Sequence, residues 1–401
     1  MRIFQLNTVC GIKSTGRIAV EIGKLVEADG GQCLIGCGAN YVPPEAEHMA
    51  VKTLSVTKRR LYSLLIRLFD AETCFNLIGT IRLTKEMDRF APDVVHLHNI
   101  HGGYLHAGVL FRYLKKKNIP VVWTLHDCWP FTGHCAHFSY IGCEKWKTQC
   151  ASCPQKGRYP ICIGLDGSRR NHARKRKLFT SLNNLTMVAP CEWMRQPLEQ
   201  SYMKKHAVRT IYNGVDLQSF RPTESDLRAR FGLENCRLVL AAASDWDERK
   251  GLKYLIQAAQ KLGKDYRFVV VGLSSAQVAA LPDGMIGIEH TANVNELAQW
   301  YTAADCFANP TLEDNMPMVN LEALASGTPV VTFRTGGCPE AVDADTGIVV
   351  DQADVDGLCE AIRRITPKTD ARKEACLQRA QFFSAARTFE SYLNLYRELS
   401  R

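Results

Sequence analysis

The chain has no uninterrupted hydrophobic run of the roughly 18 residues that a membrane-spanning helix needs. It begins with a short apolar run broken by polar residues, and it lacks the long apolar region and small-residue cleavage site of a secretory signal. No low-complexity tract indicates disorder. These absences predict an ordinary globular protein that is made and kept in the cytoplasm, with the inner face of the plasma membrane as an additional location.

Cysteine, in contrast, is abundant, with 16 residues in a chain of 401. In the expected compartment thiols stay reduced, which favours buried thiols or metal ligands over a disulfide framework. The net charge of +9 is compatible with an anionic small molecule, an anionic membrane surface or nucleic acid, and does not choose among them. The length favours two domains over one.

Short β-branched runs alternate with amphipathic segments along the whole chain, which predicts parallel sheets covered by helices. The predicted strands are 3–8, 94–98, 121–124, 186–189, 238–242, 268–271, 285–289 and 330–333, and the clearest helices are 251–262 and 294–304. A turn-rich segment around Asn213 and Pro222 divides these predicted strands and helices into two sets near the middle of the chain. We therefore predict an α/β fold of two doubly wound, Rossmann-like domains facing a central cleft, with ligands beyond the carboxyl ends of the strands. The predicted parts are domain 1–207, linker 208–222, domain 223–382 and a C-terminal helix 383–401 that crosses back to the first domain.

One predicted helix carries a carboxylate on an otherwise apolar face. Pro317 suits the first turn of this helix and Gly327 its end, so Glu322 shares a face with apolar neighbours. Burying an unpaired carboxylate is costly, so a polar group should meet Glu322, either ribose hydroxyls of a ligand or a structural Arg or backbone amides. Asp314 precedes the helix, where free backbone N–H groups attract anionic and hydroxyl groups.

A second turn follows the strand 330–333 and contains Gly336 and Gly337 just before Pro339. Two glycines allow a phosphate to approach the backbone closely, and proline suits a helix start. Taken alone, such a turn is weak support for a binding site, because most Gly-Gly turns are only turns.

At this point the residues resemble the retaining nucleotide-sugar glycosyltransferases of family 4, which have the two-domain GT-B architecture. The resemblance rests on Asp314 and Glu322 with seven residues between them, and on matching segments at 213–216, 304–305, 326–330, 11–16 and 124–127. Within the family the sequence is most similar to bacterial enzymes of capsule, exopolysaccharide and O-antigen assembly. The resemblance implies a UDP- or GDP-sugar donor, a hexose-type transferred sugar, and a glycan or lipid-linked acceptor.

The resemblance also implies residue roles. Glu322 would bind the donor ribose, and Lys250 would neutralise the leaving diphosphate. His126 would lie beside the donor sugar. The remaining implied donor contacts are Asp314, Asn315, Met316, Gly16, Gly336, Gly337 and Thr291.

Two departures from the family pattern affect these roles. Asp314 stands where Glu is commoner, although Glu313 is adjacent, and Asp245 stands where the family usually has a phosphate-binding Arg. Arg249 is the predicted substitute, because a planar guanidinium suits phosphate. The implied chemistry retains anomeric configuration by same-face attack, and its leaving group is stabilised by Lys250, Arg249 and backbone amides without a catalytic metal.

Six cysteines lie between residues 128 and 162, including the Cys150-x-x-Cys153 pair, which has zinc-ligand spacing. Cys135 and Cys143 would complete a four-thiolate structural zinc site, with His134 and His137 as alternative ligands. The equally weighted alternative is a set of reduced thiols packed inside an insertion.

Basic residues flank an apolar stripe in the segment 58–69, and a second basic run covers 169–177. Such segments suit an anionic membrane that carries a lipid-linked acceptor, and equally suit a core-facing helix with solvated charges. The competing functions are a nucleotide-sugar epimerase or phosphorylase on the same scaffold, and a zinc-containing nucleic-acid-binding protein. The last is disfavoured because no recognisable nucleic-acid-binding module is present.

Overall fold

The computed structural model describes residues 1–38 and 40–401 and divides into two compact units. The N-terminal unit comprises Met1–Ile211 with Phe389–Arg401, and the C-terminal unit comprises Tyr212–Thr388. Each unit is built on one fully parallel sheet with helical crossovers, which confirms the predicted α/β class with two Rossmann-like sheets.

The sheet of the N-terminal unit has the order β3-β2-β1-β4-β5-β6-β7 over the described residues. Its strands are β1 (Arg2–Leu6), β2 (Gln32–Cys37), β3 (Ala50–Lys52), β4 (Val94–Leu97), β5 (Val121–Thr124), β6 (Leu185–Ala189) and β7 (Ala207–Thr210). Its helices are α1 (Lys13–Ala28), α2 (Val56–Phe69), α3 (Leu77–Phe90), α4 (Ala107–Lys117), α5 (Ser168–Phe179) and α6 (Glu192–Gln200), with 3-10 turns at Pro44–Met49, Trp129–Phe131 and Lys145–Lys147. The strands β4, β5 and β6 are buried along their whole length, as expected for parallel strands covered on both faces.

The C-terminal unit has the sheet order β10-β9-β8-β11-β12-β13. Its strands are β8 (Arg237–Ala242), β9 (Tyr266–Val271), β10 (Met285–Ile288), β11 (Cys306–Asn309), β12 (Val330–Phe333) and β13 (Gly347–Val350). Its helices are α7 (Leu227–Arg230), α8 (Leu252–Leu262), α9 (Ser275–Ala279), α10 (Val294–Ala303), α11 (Met318–Ala325), α12 (Cys338–Ala341), α13 (Val355–Ile365) and α14 (Asp370–Phe382), with a 3-10 turn at Glu248–Lys250. The strand order reverses direction between β8 and β11, which is the type of position where open parallel sheets bind ligands.

The last helix, α15 (Ala385–Leu399), lies mostly in the N-terminal unit. Tyr396 contributes its hydroxyl to a 2.5 Å hydrogen bond with Nδ1 of His96 on β4. Tyr392 pairs its hydroxyl with that of Thr124 at the end of β5, at 2.9 Å. These buried polar contacts fix the end of the chain against the carboxyl side of the first sheet.

In the part of the chain that the structure describes, no helix combines the length and the apolar character required to cross a bilayer.

Candidate active site

A lysine and an aspartate form the centre of the polar cluster in the C-terminal unit. Lys250 ends the 3-10 turn after β8, and Asp314 lies in the loop between β11 and α11. Nζ of Lys250 donates to Oδ2 of Asp314 at 2.6 Å. Burial alone would lower the pKa of Lys250, but the charge of Asp314 and the hydrogen bond to it outweigh burial and raise the pKa. The ammonium group therefore stays charged at neutral pH.

The loops that carry these two residues are held together through their backbones. Leu312 donates its N–H to the carbonyl of Arg249 at 2.6 Å. Gly251 has φ +78°, and a Cβ there would lie 2.1 Å from the carbonyl oxygen of Pro310. The position next to Lys250 therefore requires glycine, because the two backbones approach more closely than any side chain allows.

The Gly336–Gly337 turn after β12 packs directly on the loop of Asp314. Gly337 donates its N–H to the carbonyl of Asn315 at 2.7 Å. Gly336 has φ +52°, and a Cβ there would lie 1.7 Å from the carbonyl oxygen of Asp314. On the other side of the loop, the side-chain amide of Asn213 donates to the carbonyl of Met316 at 3.0 Å. The structure thus brings together the predicted residues 314–316, 336 and 337.

Glu322 lies on α11 with its carboxylate against α10. One partner of this carboxylate is the hydroxyl of Tyr301, which donates to Oε2 of Glu322 at 3.0 Å. Burial, reinforced by the charge of Glu322, raises the pKa of Tyr301 well above its usual range, so this hydroxyl remains a donor. This neutral phenol satisfies one acceptor site of the carboxylate.

The structure places the other predicted residues of this unit differently. Arg249 directs its guanidinium to Asp247, with Nη2 2.8 Å from Oδ2. Its role as the substitute for the family's phosphate-binding Arg stays a prediction. Asp245 itself is exposed. Thr291 lies half-buried between β10 and α10.

In the N-terminal unit a chain of hydrogen bonds begins at His126, just after β5. Its Nε2 lies 2.9 Å from Nδ1 of His98, and Nε2 of His98 lies 2.8 Å from Oε1 of Gln5. The amide of Gln5 is oriented by its own donation to the carbonyl of Ala19 at 2.7 Å. Because the Gln5 oxygen accepts, His98 carries its proton on Nε2, so Nδ1 accepts the proton of His126.

Both imidazoles are neutral at physiological pH. Burial lowers the pKa of His126 to about 4 and that of His98 well below its usual range. The bonding pattern therefore assigns His126 the tautomer with Nε2 protonated and a lone pair on Nδ1. Such a group accepts a hydrogen bond from a hydroxyl.

Next to this series of hydrogen bonds, His101 and Asp127 form a buried pair, in which Nε2 of His101 lies 2.9 Å from Oδ2 of Asp127. Burial alone would lower the pKa of His101, but Asp127 outweighs burial and raises it. Asp127 also accepts the N–H of Trp129 at 2.9 Å, which sets the start of the following loop.

Gly16 lies in the first turn of α1, where its carbonyl accepts the N–H of Gly11 at 3.1 Å. A Cβ on Gly16 would approach a methyl group of Val9 to 3.0 Å, so the glycine keeps the turn at 9–16 tight.

Sequence reasoning missed Tyr301, His98 and His101. The sequence does contain a signal for His98. Histidines stand at positions 96 and 98, within and directly after an otherwise apolar strand, and this pattern indicates polar groups at the carboxyl end of the strand. The contact of Tyr301 had no local signal, because 21 residues separate it from Glu322.

The four cysteines of the predicted zinc site, Cys135, Cys143, Cys150 and Cys153, are free thiols. Within residues 1–38 and 40–401 no three His, Cys, Asp or Glu side chains stand in a ready-made arrangement for a metal ion.

Comparisons with known proteins match nearly the whole chain. The family model described as Glycosyltransferase Family 4 matches residues 16–219, and that described as Glycosyl transferases group 1 matches residues 236–367. The putative colanic acid biosynthesis glycosyl transferase WcaC of Escherichia coli K12 is 26% identical over 349 residues, which are 84% of this chain and 83% of that protein. A D-inositol 3-phosphate glycosyltransferase of Saccharomonospora viridis is 33% identical over 216 residues, 48% of this chain and 50% of that protein. The chain thus matches about half the length of that second relative.

Solved structures resemble the chain over its full length. Sucrose-phosphate synthase of Thermosynechococcus elongatus has a TM-score of 0.70 at 17% identity and covers 99% of this chain and 98% of its own. Anabaena Alr3699/HepE in complex with UDP has a TM-score of 0.69 at 15% identity and covers 99% of this chain and 100% of its own. At these identities the likeness shows the fold alone.

Proposed function

This chain belongs to glycosyltransferase family 4 and has the GT-B fold, and from that premise we propose that it transfers a hexose from a UDP-sugar to a glycan or lipid-linked acceptor in bacterial surface polysaccharide assembly. The observation that carries the proposal is the ion pair of Lys250 and Asp314, whose loops follow β8 and β11 and pack on the Gly336–Gly337 turn after β12. Glu322 lies on α11, the helix that follows the loop of Asp314. Membership of the family favours this function over the epimerase, phosphorylase and nucleic-acid-binding alternatives.

We favour UDP over GDP as the nucleotide of the donor, because a structural neighbour, HepE, was solved with UDP and with UDP-glucose. The surface polysaccharide setting is supported by the relative described as a colanic acid biosynthesis enzyme.

The roles of the donor-site residues follow from their charges. Glu322 would accept hydrogen bonds from the two ribose hydroxyls, next to the hydroxyl of Tyr301. Lys250 would meet the diphosphate, on which negative charge grows as the anomeric bond breaks. Asp314 would hold the ammonium group in place and accept from a sugar hydroxyl, and the backbone around Asn315 and Gly337 would border the phosphates.

The reaction would retain the anomeric configuration. The acceptor hydroxyl attacks the anomeric carbon on the face from which the diphosphate leaves, and a departing phosphate oxygen takes the hydroxyl proton. Nδ1 of neutral His126 would accept a hydrogen bond from a sugar hydroxyl. No second carboxylate is required for this route, unlike the paired carboxylates of glycoside hydrolysis.

A membrane-facing surface in the N-terminal unit would bring the enzyme to a lipid-linked acceptor. The apolar side chains Leu61 and Leu64 of α2 are about half exposed, at 52% and 51%. The loop 163–165 runs along the end of α2, where Ile163 and Leu165 donate their N–H groups to carbonyls of the helix and expose their side chains.

A groove of about 460 Å³ beside α2 and α3 is lined by three cations, Lys52, Lys58 and Arg82. Apolar side chains interspersed with cations are typical of surfaces that bind anionic bilayers.

The donor site is tested by thermal and chemical unfolding of the full chain with UDP, GDP and their sugars. At about 100 times its dissociation constant the correct nucleotide adds roughly 2.7 kcal/mol to the free energy of unfolding. Glu322→Ala should abolish the response to UDP, while Glu360→Ala, the same change on an exposed site of α13, should leave it intact.

Product analysis then separates the functions. Transfer gives a sugar linked to the acceptor and free UDP, whereas an epimerase gives an isomeric nucleotide sugar and a phosphorylase gives a sugar phosphate. A wild-type chain that responds to no nucleotide, with a Glu322→Ala variant that is merely less stable, would contradict the proposed donor site.

A further inference from the structure

The cysteine-rich insertion of the N-terminal unit encloses a cavity of its own. It has a volume of about 10 Å³, and its wall includes His134, Cys135, Cys143, Cys150 and Cys153. A space of this size holds about one water molecule or one ion. Five side chains able to bind a soft divalent metal therefore converge on a space of the right size for a single ion.

Two of the thiols in this wall are in direct contact, and a third has a backbone partner. Cys135 and Cys153 share a hydrogen bond, and Sγ of Cys150 accepts the backbone N–H of Gly133 at 3.2 Å. Ser152, inside the Cys150–Cys153 turn, has φ +46°, which bends this turn sharply. Cysteine binds a metal ion in its thiolate form.

His134 supplies an independent observation that points to a metal ligand. Its side chain is buried, and Nδ1 lies 2.6 Å from Oδ1 of Asp70. Its Nε2 has no hydrogen-bond partner among the described residues. A carboxylate on one imidazole nitrogen is the arrangement that orients a histidine whose other nitrogen faces a metal ion.

We propose that this cavity is a structural zinc site. Cys135, Cys150 and Cys153 supply three thiolates, and either Cys143 or His134 supplies the fourth ligand of the tetrahedron. Four protein ligands close the coordination sphere, so the ion has no open position for catalysis. Within the described part of the chain these side chains do not stand in a ready-made arrangement for a metal ion. Thiols must also lose their protons to coordinate. Binding removes those protons and draws the sulfurs to about 2.3 Å from the ion.

The ion would hold the loop that follows His126. Cys128 donates its N–H to the carbonyl of Ala136 at 2.8 Å, so the segment before Cys135 folds back on the start of the insertion. Nζ of buried Lys175 donates to the carbonyls of Trp129 and Thr132 at 2.7 and 3.2 Å. Zinc would thus stabilise the insertion on one side while Lys175 fixes it on the other. The proposal does not depend on the sugar chemistry.

The first experiment measures the metal content of the full chain, purified under reducing conditions without chelators. Mass spectrometry should find about one zinc per chain. Replacing zinc by Co²⁺ should give intense visible bands of a tetrahedral centre and thiolate-to-cobalt charge-transfer bands. Absence of zinc together with absence of these cobalt bands would overturn the proposal, and this readout needs no variant to fold.

Variants then identify the ligands. Cys135→Ser, Cys150→Ser and Cys153→Ser should each lower the zinc content at least tenfold. Cys162→Ser is the matched control, because Cys162 is also buried in the insertion but its thiol donates to the carbonyl of Leu165. At least one of Cys143→Ser and His134→Asn should lose zinc, and retention in both would overturn the site. The UDP response of the wild type is read separately, so failure of zinc binding is distinct from failure of the donor site.

Discussion

At the scale of single residues, the tautomer of His126 depends on two partners that contact no substrate in the proposed reaction. His98 accepts from Nε2 of His126 only because Gln5 holds the proton of His98 on the opposite nitrogen. We expect His98→Leu to lower kcat on the order of tenfold or more, since the orientation of His126 and the position of its lone pair are no longer fixed. Its KM for the nucleotide sugar should change little, because the donor loops lie in the other unit.

His98→Asn should restore part of the rate, because Oδ1 of asparagine lies where Nδ1 of histidine accepts. His48→Asn is the control and should leave the rate unchanged, because His48 is exposed and paired with Glu27.

The pH dependence of the rate is a separate prediction. With a pKa of about 4 for His126, its imidazole gains a proton only in acid, so it should cause no loss of rate between pH 8 and about 5.5. A rate loss centred near pH 6.5 that disappears in His98→Leu would contradict the assigned protonation.

At the scale of elements, the donor site depends on the close contact of two loops. Gly336→Ala places a methyl group within the van der Waals radius of the Asp314 carbonyl, at 1.7 Å before relaxation, and also strains a φ of +52°. Gly232→Ala is the matched control, because it has φ +64° and open space around the new Cβ. We expect the control to lose about 1 kcal/mol of stability from the backbone strain alone. Gly336→Ala should in addition displace the loop of Asp314 and weaken UDP binding at least tenfold. Equal UDP affinity in the two variants would contradict the role of this contact.

The elements themselves were predictable to different degrees. Eight of the thirteen strands follow from β-branched runs, and the structure extends or trims them by one or two residues. The other strands, β2, β3, β7, β11 and β13, are short or contain glycine, cysteine, asparagine or charged residues, and their strand conformation is set by pairing with neighbours.

The candidate site was likewise predictable from the sequence only in part. Glu322, Asp314 and the Gly336–Gly337 turn stand out locally, by spacing and by position after a strand. The contact of Lys250 with Asp314 joins residues 64 positions apart, and no local pattern encodes it. The prediction for Arg249 rests on the chemistry of guanidinium, and the ion pair of Arg249 with Asp247, two residues before it, has no counterpart in that prediction.

At the scale of the whole molecule, the net charge of +9 and the exposed apolar side chains of α2 give a testable consequence for location. The full chain should co-sediment with vesicles that contain anionic phospholipid and should be released by high salt, because screening weakens the attraction of cations for the surface. Neutral vesicles should bind it much less.

The apolar contribution is separable from the charge. Leu61→Ser with Leu64→Ser keeps every charge but removes the two exposed apolar side chains. It should lower vesicle binding on the order of tenfold, since each leucine is already about half-buried and the two exposed halves together are worth roughly 1.5 kcal/mol. Val294→Ser with Phe382→Ser, two exposed apolar residues of the C-terminal unit, is the matched control and should bind as the wild type does. Equal loss in both variants would mean that apolar exposure in general, and not the surface of α2, holds the protein to the bilayer. Transfer to a water-soluble acceptor should be unchanged in the α2 variant, because neither leucine lies in a loop that carries the predicted donor residues.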